Sequence, residues 1–488
     1  MEKEYCELLI GVDRKYSEEI LVETKADATD RGGAEKVLSL EADVRLTGAE
    51  LLEGEGEVTA KVNYRLLYLD RQSRLCGLDY FKDFKCRVSG ESIKPNGKCA
   101  VTFAVPDAEA RAVGDAIEMS AVVDVTLRYF GEEEKKAVAS VAGAECRKKE
   151  IHTERAERRE RTLELEKTLD SGPNVKKIML FDVESVPTSL SRSEGEVTVM
   201  GEARANVIYL NEADETVELT ASLPFTETFE GDGEAEYLFS VKSSRIVLTD
   251  DEEGSAVDVE VTVEIDEIAY EKEVTTVADA ALSAACETIE RSESVEERSF
   301  AGEYCFEETV SGALPLSAEG AYIAFVRPSN QAVAEVTVKE GAVGVEGVAA
   351  FRIVYLTEKG YDSTQGEFPF SYAFPVPTAK EGMDAEMRIV ITQPQAIYDG
   401  KEVRVSAKVT ALLTLWENAT QEYLSDVEEG ESFPESEAGI TVYFAEKGED
   451  LWRIAKNMKT LPSTLVQANP FLSEPLSENK KVLIFRKK

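Results

Sequence analysis

The chain has 488 residues, too many for one ordinary hydrophobic core, and this length predicts about three or four domains. A hydrophobic content of 43% indicates folded domains and excludes a solvated acidic tail. The formal net charge of −40 repels nucleic acid phosphates and anionic lipid, so neither is an expected partner.

The N-terminal segment, residues 1–12, reads MEKEYCELLIGV and has neither the basic start nor the cleavage site of a secretion signal. No apolar run in the sequence is long enough to span a membrane. The seven cysteines show no CxxC spacing, and the chain has one histidine, His152. We therefore expect free thiols in a reducing cytosol, with no metal site and no cofactor.

Three segments share one pattern: an alternating strand that ends in Tyr-Leu, a polar turn, and two aromatic residues four positions apart. The Tyr-Leu pairs and aromatic pairs are, in chain order, Tyr68-Leu69 with Tyr80 and Phe84, Tyr209-Leu210 with Phe225 and Phe229, and Tyr355-Leu356 with Phe370 and Phe374. The aromatic pairs recur at intervals of 145 residues, which indicates an internal repeat. We expect these aromatic and leucine side chains to pack in hydrophobic cores.

After this pattern, each copy returns to alternating β-branched residues. The three stretches are VVDVTLRYF (122–130), VDVEVTVEIDEIAY (257–270) and VRVSAKVTALLTLW (403–416). Alternation with a period of two is typical of half-buried antiparallel strands. The predicted fold is therefore mainly β, with three tandem β-sandwich-like repeats at 1–150, 151–295 and 296–430. A small βααβ domain follows at 440–488.

Two charged segments separate these units. RKKEIHTERAERRERTLELEK (147–167) has eight basic and six acidic side chains, which fits a solvated linker or an exposed strand or helix. VEEGESFPESEAG (427–439) is acidic and contains Pro434, so we expect a flexible or extended tether for the last domain.

The last segment, 440–488, is predicted as a strand, two short helices and a closing strand. One helical face is indicated by four apolar residues at helical spacing, Leu451, Ile454, Ala455 and Met458. Glu449 and Asp450 precede this helix, where a carboxylate can cap free N–H groups. Pro462 suits the first turn of the second helix, and Asn469-Pro470 suits its end.

This segment resembles the LysM family. The family opening Gly-Asp-Thr-Leu-Trp appears as Gly448-Glu449-Asp450-Leu451-Trp452, and the family signature Leu-x-x-Ala-Asn-Pro appears as LVQANP (465–470). The resemblance implies a βααβ fold with a groove between two loops, in which the family holds N-acetylated sugars. The implied binding residues on this chain are Gly448, Glu449, Asp450, Leu451, Asn469, Pro470, Phe471 and Leu472.

Two features of the segment bear on the kind of ligand. Asp450 stands where the family usually has a hydroxyl, which adds charge at the expected sugar edge. The segment also carries nine basic and five acidic residues on a chain of net charge −40. A basic surface suits an acidic protein partner as well as it suits a wall polymer.

The whole arrangement resembles spore-coat assembly proteins of the SipL type, which consist of tandem SPOCS domains followed by LysM. The resemblance is carried by the Tyr-Leu strand ends and by Leu223-Pro224-Phe225 and Phe368-Pro369-Phe370; the first copy has Tyr80 instead of Pro-Phe. It implies a structural protein of the mother-cell cytoplasm at the forespore surface. It also implies docking to the coat-basement ATPase, stage IV sporulation protein A.

No catalytic site is predicted. The chain has one histidine, His152, so no Ser-His or Cys-His pair can be built without it, and we expect His152 to be a surface residue. Two hypotheses remain. The first is a non-enzymatic coat-assembly adaptor whose repeats can self-associate and whose LysM segment docks to a coat protein. The second is a protein that binds peptidoglycan or N-acetylglucosamine in the cell wall or the spore cortex.

Overall fold

The computed structural model describes residues 2–170, 175–231, 234–250, 255–318, 320–434, 439–472 and 475–485. The protein is mainly β, as predicted, with 80% of its residues in strands and 4% in helices. Among the described residues, no helix is both long and apolar enough to cross a lipid bilayer.

The described residues before the C-terminal segment contain eighteen strands, which fall into three sets of six. The first set contains β1 (Lys3–Asp27), β2 (Lys36–Leu52), β3 (Glu55–Leu69), β4 (Leu75–Ser89), β5 (Lys98–Val113) and β6 (Ala116–Val141). The second contains β7 (Ala144–Asp170), β8 (Val175–Ser193), β9 (Glu196–Asn211), β10 (Thr216–Glu230), β11 (Ala235–Asp250) and β12 (Ser255–Ser283). The third contains β13 (Cys286–Pro315), β14 (Tyr322–Lys339), β15 (Ala342–Thr357), β16 (Gly360–Pro375), β17 (Asp384–Tyr398) and β18 (Glu402–Ser432).

The strand order is the same in all three sets. The second, third and fourth strands form one antiparallel sheet, as in β2-β3-β4. The first, sixth and fifth strands form the other, as in β1-β6-β5. Because the first strand pairs with the last, each set closes on itself and the next set begins after a short turn.

The two sheets of each set share a hydrophobic core, and most of the aromatic residues of the repeated pattern lie in it. The buried members are Tyr68, Tyr209, Phe225, Phe229, Tyr355, Phe370 and Phe374. Tyr80 and Phe84 of the first copy are only half-buried, and Leu356 is 37% exposed. The expectation of core packing is therefore confirmed for the buried aromatic residues and wrong for Leu356, which lies next to the last residue of β15, beside a turn.

The first and last strands of each set extend beyond the sheets as a two-stranded arm. Since β5 pairs only as far as Phe130 of β6, residues 3–12 and 131–141 form the first arm. By the same pairing, residues 144–155 and 271–283 form the second arm, and 286–299 and 417–432 form the third. An isolated two-stranded arm would be marginal in water.

The three arms pack together around a common apolar interior. One layer takes a single side chain from each of the six arm strands: Leu8, Ala137, Ile151, Val277, Val295 and Tyr423. The next layer takes two from each last strand: Val138, Val141, Ala278, Ala281, Leu424 and Val427. Because the residues of each layer come from equivalent places, the sets are arranged around an approximate threefold axis.

The predicted domain boundaries differ from the strand sets. Residues 150 and 151 lie inside β7, and residues 295 and 296 lie inside β13, so the sets divide at 142–143 and 284–285. Of the alternatives left open for 147–167, the strand is confirmed and the linker and the helix are wrong, because this segment is strand from end to end and pairs with β12. The tether predicted at 427–439 is strand up to Ser432, and residues 435–438 lie outside the described residues.

The C-terminal module, residues 439–485, contains β19 (Ile440–Ala445), α1 (Leu451–Asn457), α2 (Pro462–Ala468) and β20 (Lys480–Phe485). β19 and β20 pair antiparallel, and the two helices lie between them in sequence. The helical face predicted from apolar spacing is α1 with its C-cap, and it is buried in the module core. Pro462 begins α2, as predicted.

Candidate functional site

The first of the two loops predicted to bind a ligand is hydrogen-bonded to the segment between α2 and β20, in which the second predicted loop also lies. The backbone N–H of Gly448 donates to the carbonyl of Leu476 at 2.9 Å, and the N–H of Leu476 donates to the carbonyl of Glu449 at 3.2 Å. Gly448 has φ of +89°, a left-handed conformation that glycine adopts without strain. These hydrogen bonds join the β19–α1 loop to the segment that follows α2.

The two acidic side chains of the first loop accept hydrogen bonds from the module itself. The Glu449 carboxylate accepts from the Tyr443 hydroxyl at 3.0 Å and from the Glu446 N–H at 2.9 Å. Asp450 is the N-cap of α1 and accepts from the Arg453 N–H at 2.6 Å, as the sequence predicted for a carboxylate at this position. Both carboxylates therefore stabilise the loop and the helix that follows it.

Asn469, a predicted binding residue, is fully buried and crosslinks α2 to β20. Its Nδ2 donates to the carbonyls of Leu465 at 2.9 Å and Leu483 at 2.6 Å. Its Oδ1 accepts from the N–H of Leu483 at 2.8 Å. Asn469 thus holds the second loop in place, and its side chain is not offered to a ligand.

Leu451 and Leu472 also face inward, where they pack with the module core. Gly448, Asp450 and Pro470 are exposed, and Phe471 is 50% exposed. The accessible part of the predicted site is therefore one aromatic ring beside a proline and a short acidic loop.

Lys480, which is not among the binding residues predicted from the sequence, adds a cation to this surface. Its Nζ lies 5.4 Å from the centroid of the Phe471 ring, within the range of a cation–π contact, and pairs with the Glu478 carboxylate at 3.2 Å. The excess of basic residues in the segment indicates that cations lie on its surface. Which aromatic ring Lys480 approaches depends on the turn between α2 and β20, which the sequence pattern does not give. A cation beside an exposed aromatic ring can contact an acidic or an aromatic partner.

Elsewhere, three carboxylates among the described residues lie close enough to hold an ion, those of Glu160, Glu264 and Asp266. Cationic side chains already pair with them: Arg158 contacts Asp266 at 2.7 Å, and Lys242 contacts Glu264 at 2.8 Å. This cluster is an ion-pair network on the second strand set.

His152 lies in the second arm with its side chain exposed. Its backbone exchanges hydrogen bonds with the Gln421 amide of the third arm, at 3.1 and 2.7 Å. The seven cysteines are free thiols, and burial raises the pKa of the Cys305 thiol to about 11. A thiol with a raised pKa is a poor nucleophile at neutral pH.

Residues 326–396 match the family model described as "SipL, SPOCS domain". The chain thus contains a SPOCS-type segment. The matched residues run from β14 into β17 and include Tyr355-Leu356 and both aromatic residues of the third copy. No curated protein and no solved structure matches the chain. The match supports a sporulation-related protein similar to SipL.

Proposed function

We propose that this chain is a non-enzymatic adaptor in assembly of the spore coat. In this proposal it acts in the mother-cell cytoplasm at the forespore surface. The three strand sets are tandem SPOCS-type repeats that form a rigid body, and the C-terminal module is a LysM docking module for a coat morphogenetic protein such as stage IV sporulation protein A.

The SPOCS match in the third strand set carries this proposal. The match covers β15, β16 and most of β14 and β17, and the first and second sets contain strands in the same order with the same pairing. Extending the SPOCS assignment to all three sets therefore needs no change in topology. A segment of a sporulation family beside a small βααβ module supports an assembly role.

The surface around Phe471 favours a protein as the ligand of the module. The carboxylates of Glu449 and Asp450 accept hydrogen bonds within the module, while Lys480 stands beside the exposed ring. Lys480 also pairs with the exposed Glu478 at 3.2 Å, and an acidic protein surface would complement the module by taking the place of Glu478 beside Lys480 and the ring.

The alternative ligand is the glycan of peptidoglycan, in the cell wall or the spore cortex. One observation favours it: the half-exposed Phe471 ring lies next to Pro470 at the predicted groove, where an aromatic ring can pack against the apolar face of a sugar. We therefore retain glycan binding as the second candidate function.

A binding experiment on the intact chain separates the two candidates. The chain is incubated with purified peptidoglycan and, separately, with the coat ATPase, and the retained fraction is measured. The adaptor proposal expects retention on the ATPase that Phe471→Ala weakens at least fivefold, because the ring is the largest exposed apolar group at the groove. Val466→Ala on α2 is the matched control, since Val466 is also an exposed apolar residue of the module.

Retention on peptidoglycan alone, weakened by Phe471→Ala, would replace the adaptor proposal with the glycan one. Asn469 is unsuitable for this test because its side chain is buried and crosslinks α2 to β20. Microscopy of a fluorescent fusion during sporulation tests the location independently. A shell around the forespore is expected, and diffuse fluorescence would count against a role in the coat.

A further inference from the structure

The three arms are alike in their shared interior but differ at their tips. Val141, Ala281 and Val427 lie in the same apolar layer, one from each arm. The residues that follow them are Ala142, directly after the end of the first arm, Leu282 in the second arm and Glu428 in the third. Only the second arm thus places a large apolar side chain at this position.

Leu282 belongs to the core of the C-terminal module. It is 4% exposed and packs in one cluster with nine buried module residues: Ala445, Leu451, Ile454, Ala455, Met458, Leu465, Leu476, Val482 and Ile484. A two-stranded sheet with two helices of seven residues has few core side chains of its own. One leucine from outside is therefore a sizeable part of that core.

Glu145, which pairs with Leu282 across the second arm, caps the second helix of the module. Its carboxylate Oε2 accepts a hydrogen bond from the N–H of Ser463, in the first turn of α2, at 3.0 Å. The N-cap residue of α2 is Leu461, which makes no side-chain cap hydrogen bond. The helix thus takes its carboxylate cap from the arm, and a negative charge there also suits the helix dipole.

Arg147, two residues further along β7, covers a tryptophan of the module. Its guanidinium carbon lies 5.6 Å from the ring centroid of Trp452 on α1. Asp279 of the same arm holds the guanidinium through a hydrogen bond of 2.8 Å. The hydrogen bond to Asp279 raises the pKa of Arg147, and the nearby charge of Asp450 contributes to the same effect.

The module's tether also begins at this end of the bundle. The N–H of Phe433 donates to the carbonyl of Ala285, in the turn between the second and third arms, at 2.8 Å. In the third arm, Glu428 pairs with Arg291 at 2.7 Å, so the position equivalent to Leu282 carries a charge that is already paired. Charge on the third arm and a small alanine on the first explain why the module docks on the second.

We propose that the tip of the second arm is a mount for the C-terminal module. Leu282 completes the module core, Glu145 caps α2 and Arg147 covers Trp452. The module is thereby held in one orientation, with Gly448, Pro470 and Phe471 of the candidate groove still exposed. The interpretation of that groove as a docking site rests on the proposed function, but the mount itself does not.

The mount is tested on the full chain without any partner, so its failure is separate from that of the proposed function. Trp416→Phe leaves Trp452 as the single tryptophan, and both Trp452 fluorescence and amide hydrogen exchange of α1 and α2 are measured. We expect Leu282→Asp to shift Trp452 emission to longer wavelength and to speed exchange of these helices at least tenfold. Ala142→Asp, at the equivalent and exposed position of the first arm, is the matched control and should change neither.

Two milder variants guard against a general loss of folding. Glu145→Ala should speed exchange of the first-turn amides of α2 about fivefold, the usual effect of removing a helix cap. Arg147→Ala should change the Trp452 emission while exchange in the arms stays at the wild-type rate. Module exchange and Trp452 emission equal to those of Ala142→Asp in all three variants would overturn the mount. Rapid exchange throughout the body in Leu282→Asp, with no effect of Glu145→Ala, would also overturn it.

Discussion

The body of three strand sets and the C-terminal module bury their interiors in different ways. In the body, equivalent positions meet: Phe130, Tyr270 and Trp416 come from the last strands of the three sets and pack in one cluster. The module has one small core, and one of its members, Leu282, comes from the second arm. The difference shows that repetition supplies the body with matched surfaces, whereas the module depends on one particular arm.

A charged junction fixes which set lies where. Glu41, Asp182 and Arg327 occupy equivalent positions in the three sets. Their partners on the neighbouring strand, in the same order, are Arg65, Asn206 and Arg352. The Arg327 guanidinium pairs with Glu41 at 2.9 Å and with Asp182. Burial works against the charged form of Arg327, but the two carboxylates hold its pKa well above the usual value. Two acids and one arginine suit each other here, whereas three identical side chains would repel.

Breaking this junction should have the largest effect on the body. Arg327→Ala leaves two carboxylates buried without their cation, so we expect a loss of about 3–5 kcal/mol in the free energy of unfolding, measured by chemical denaturation. Arg404→Ala, which removes an exposed ion pair, is the control. Adding Glu41→Gln and Asp182→Asn to the Arg327 variant should restore part of the loss. No recovery would show that the cost arises from lost packing.

A second junction makes the stability of the body depend on pH. Glu303 is fully buried, accepts hydrogen bonds from the Tyr237 N–H at 3.2 Å and from Arg388 at 3.1 Å, and burial raises its pKa to about 8. The folded protein holds a proton on Glu303 that the unfolded chain releases near pH 4.5. The contribution of protonated Glu303 to the free energy of unfolding is therefore fully present below pH 4.5 and is lost as pH rises to 8.

Glu303→Gln replaces the titrating carboxyl by an amide that does not titrate. Because only the wild type then loses stability as pH rises, the free energy of unfolding of the variant relative to the wild type should rise by about 2–4 kcal/mol between pH 5 and 8. Denaturation at each pH measures the difference. A difference that stays constant across this range would mean that Glu303 is ionised in the folded protein. The exposed Glu296, replaced by Gln, is the control.

Asn469→Ala should act on the module and spare the body. It removes three hydrogen bonds, one to the Leu465 carbonyl of α2 and two with the backbone of Leu483 in β20. We expect a loss of about 2 kcal/mol in the free energy of unfolding of the module. Hydrogen exchange should become faster in the module, while the arm layers keep wild-type rates. Equal acceleration in both regions would show that the module and the body unfold as one unit.

The smallest effect is expected where the first and third sets meet at the surface. Lys36 pairs with Asp362 at 2.5 Å, but both side chains are nearly half exposed. Lys36→Ala should change the free energy of unfolding by less than about 1 kcal/mol, because water screens such a pair. A loss comparable to that of Arg327→Ala would show that this contact holds the three sets together.

The sequence by itself determined the mainly β fold, through period-two alternation, and the recurrence of an aromatic pattern every 145 residues. It also determined the first helix of the module, through the spacing of Leu451, Ile454 and Met458, and its cap, Asp450. These features depend on neighbours a few residues apart, and a local pattern records them.

Only the tertiary structure decided how the sets meet. The sequence left a linker, an exposed strand and an exposed helix open for the charged segment 147–167, because its apolar residues are few. The strand was decided by its partner, β12, which lies about a hundred residues later. Asn469 matched a family signature, but its burial depends on β20. In the sequence, nothing distinguishes Leu282, next to the last residue of β12, from other apolar strand residues. Its role in the module core follows from long-range packing, which a local pattern does not encode.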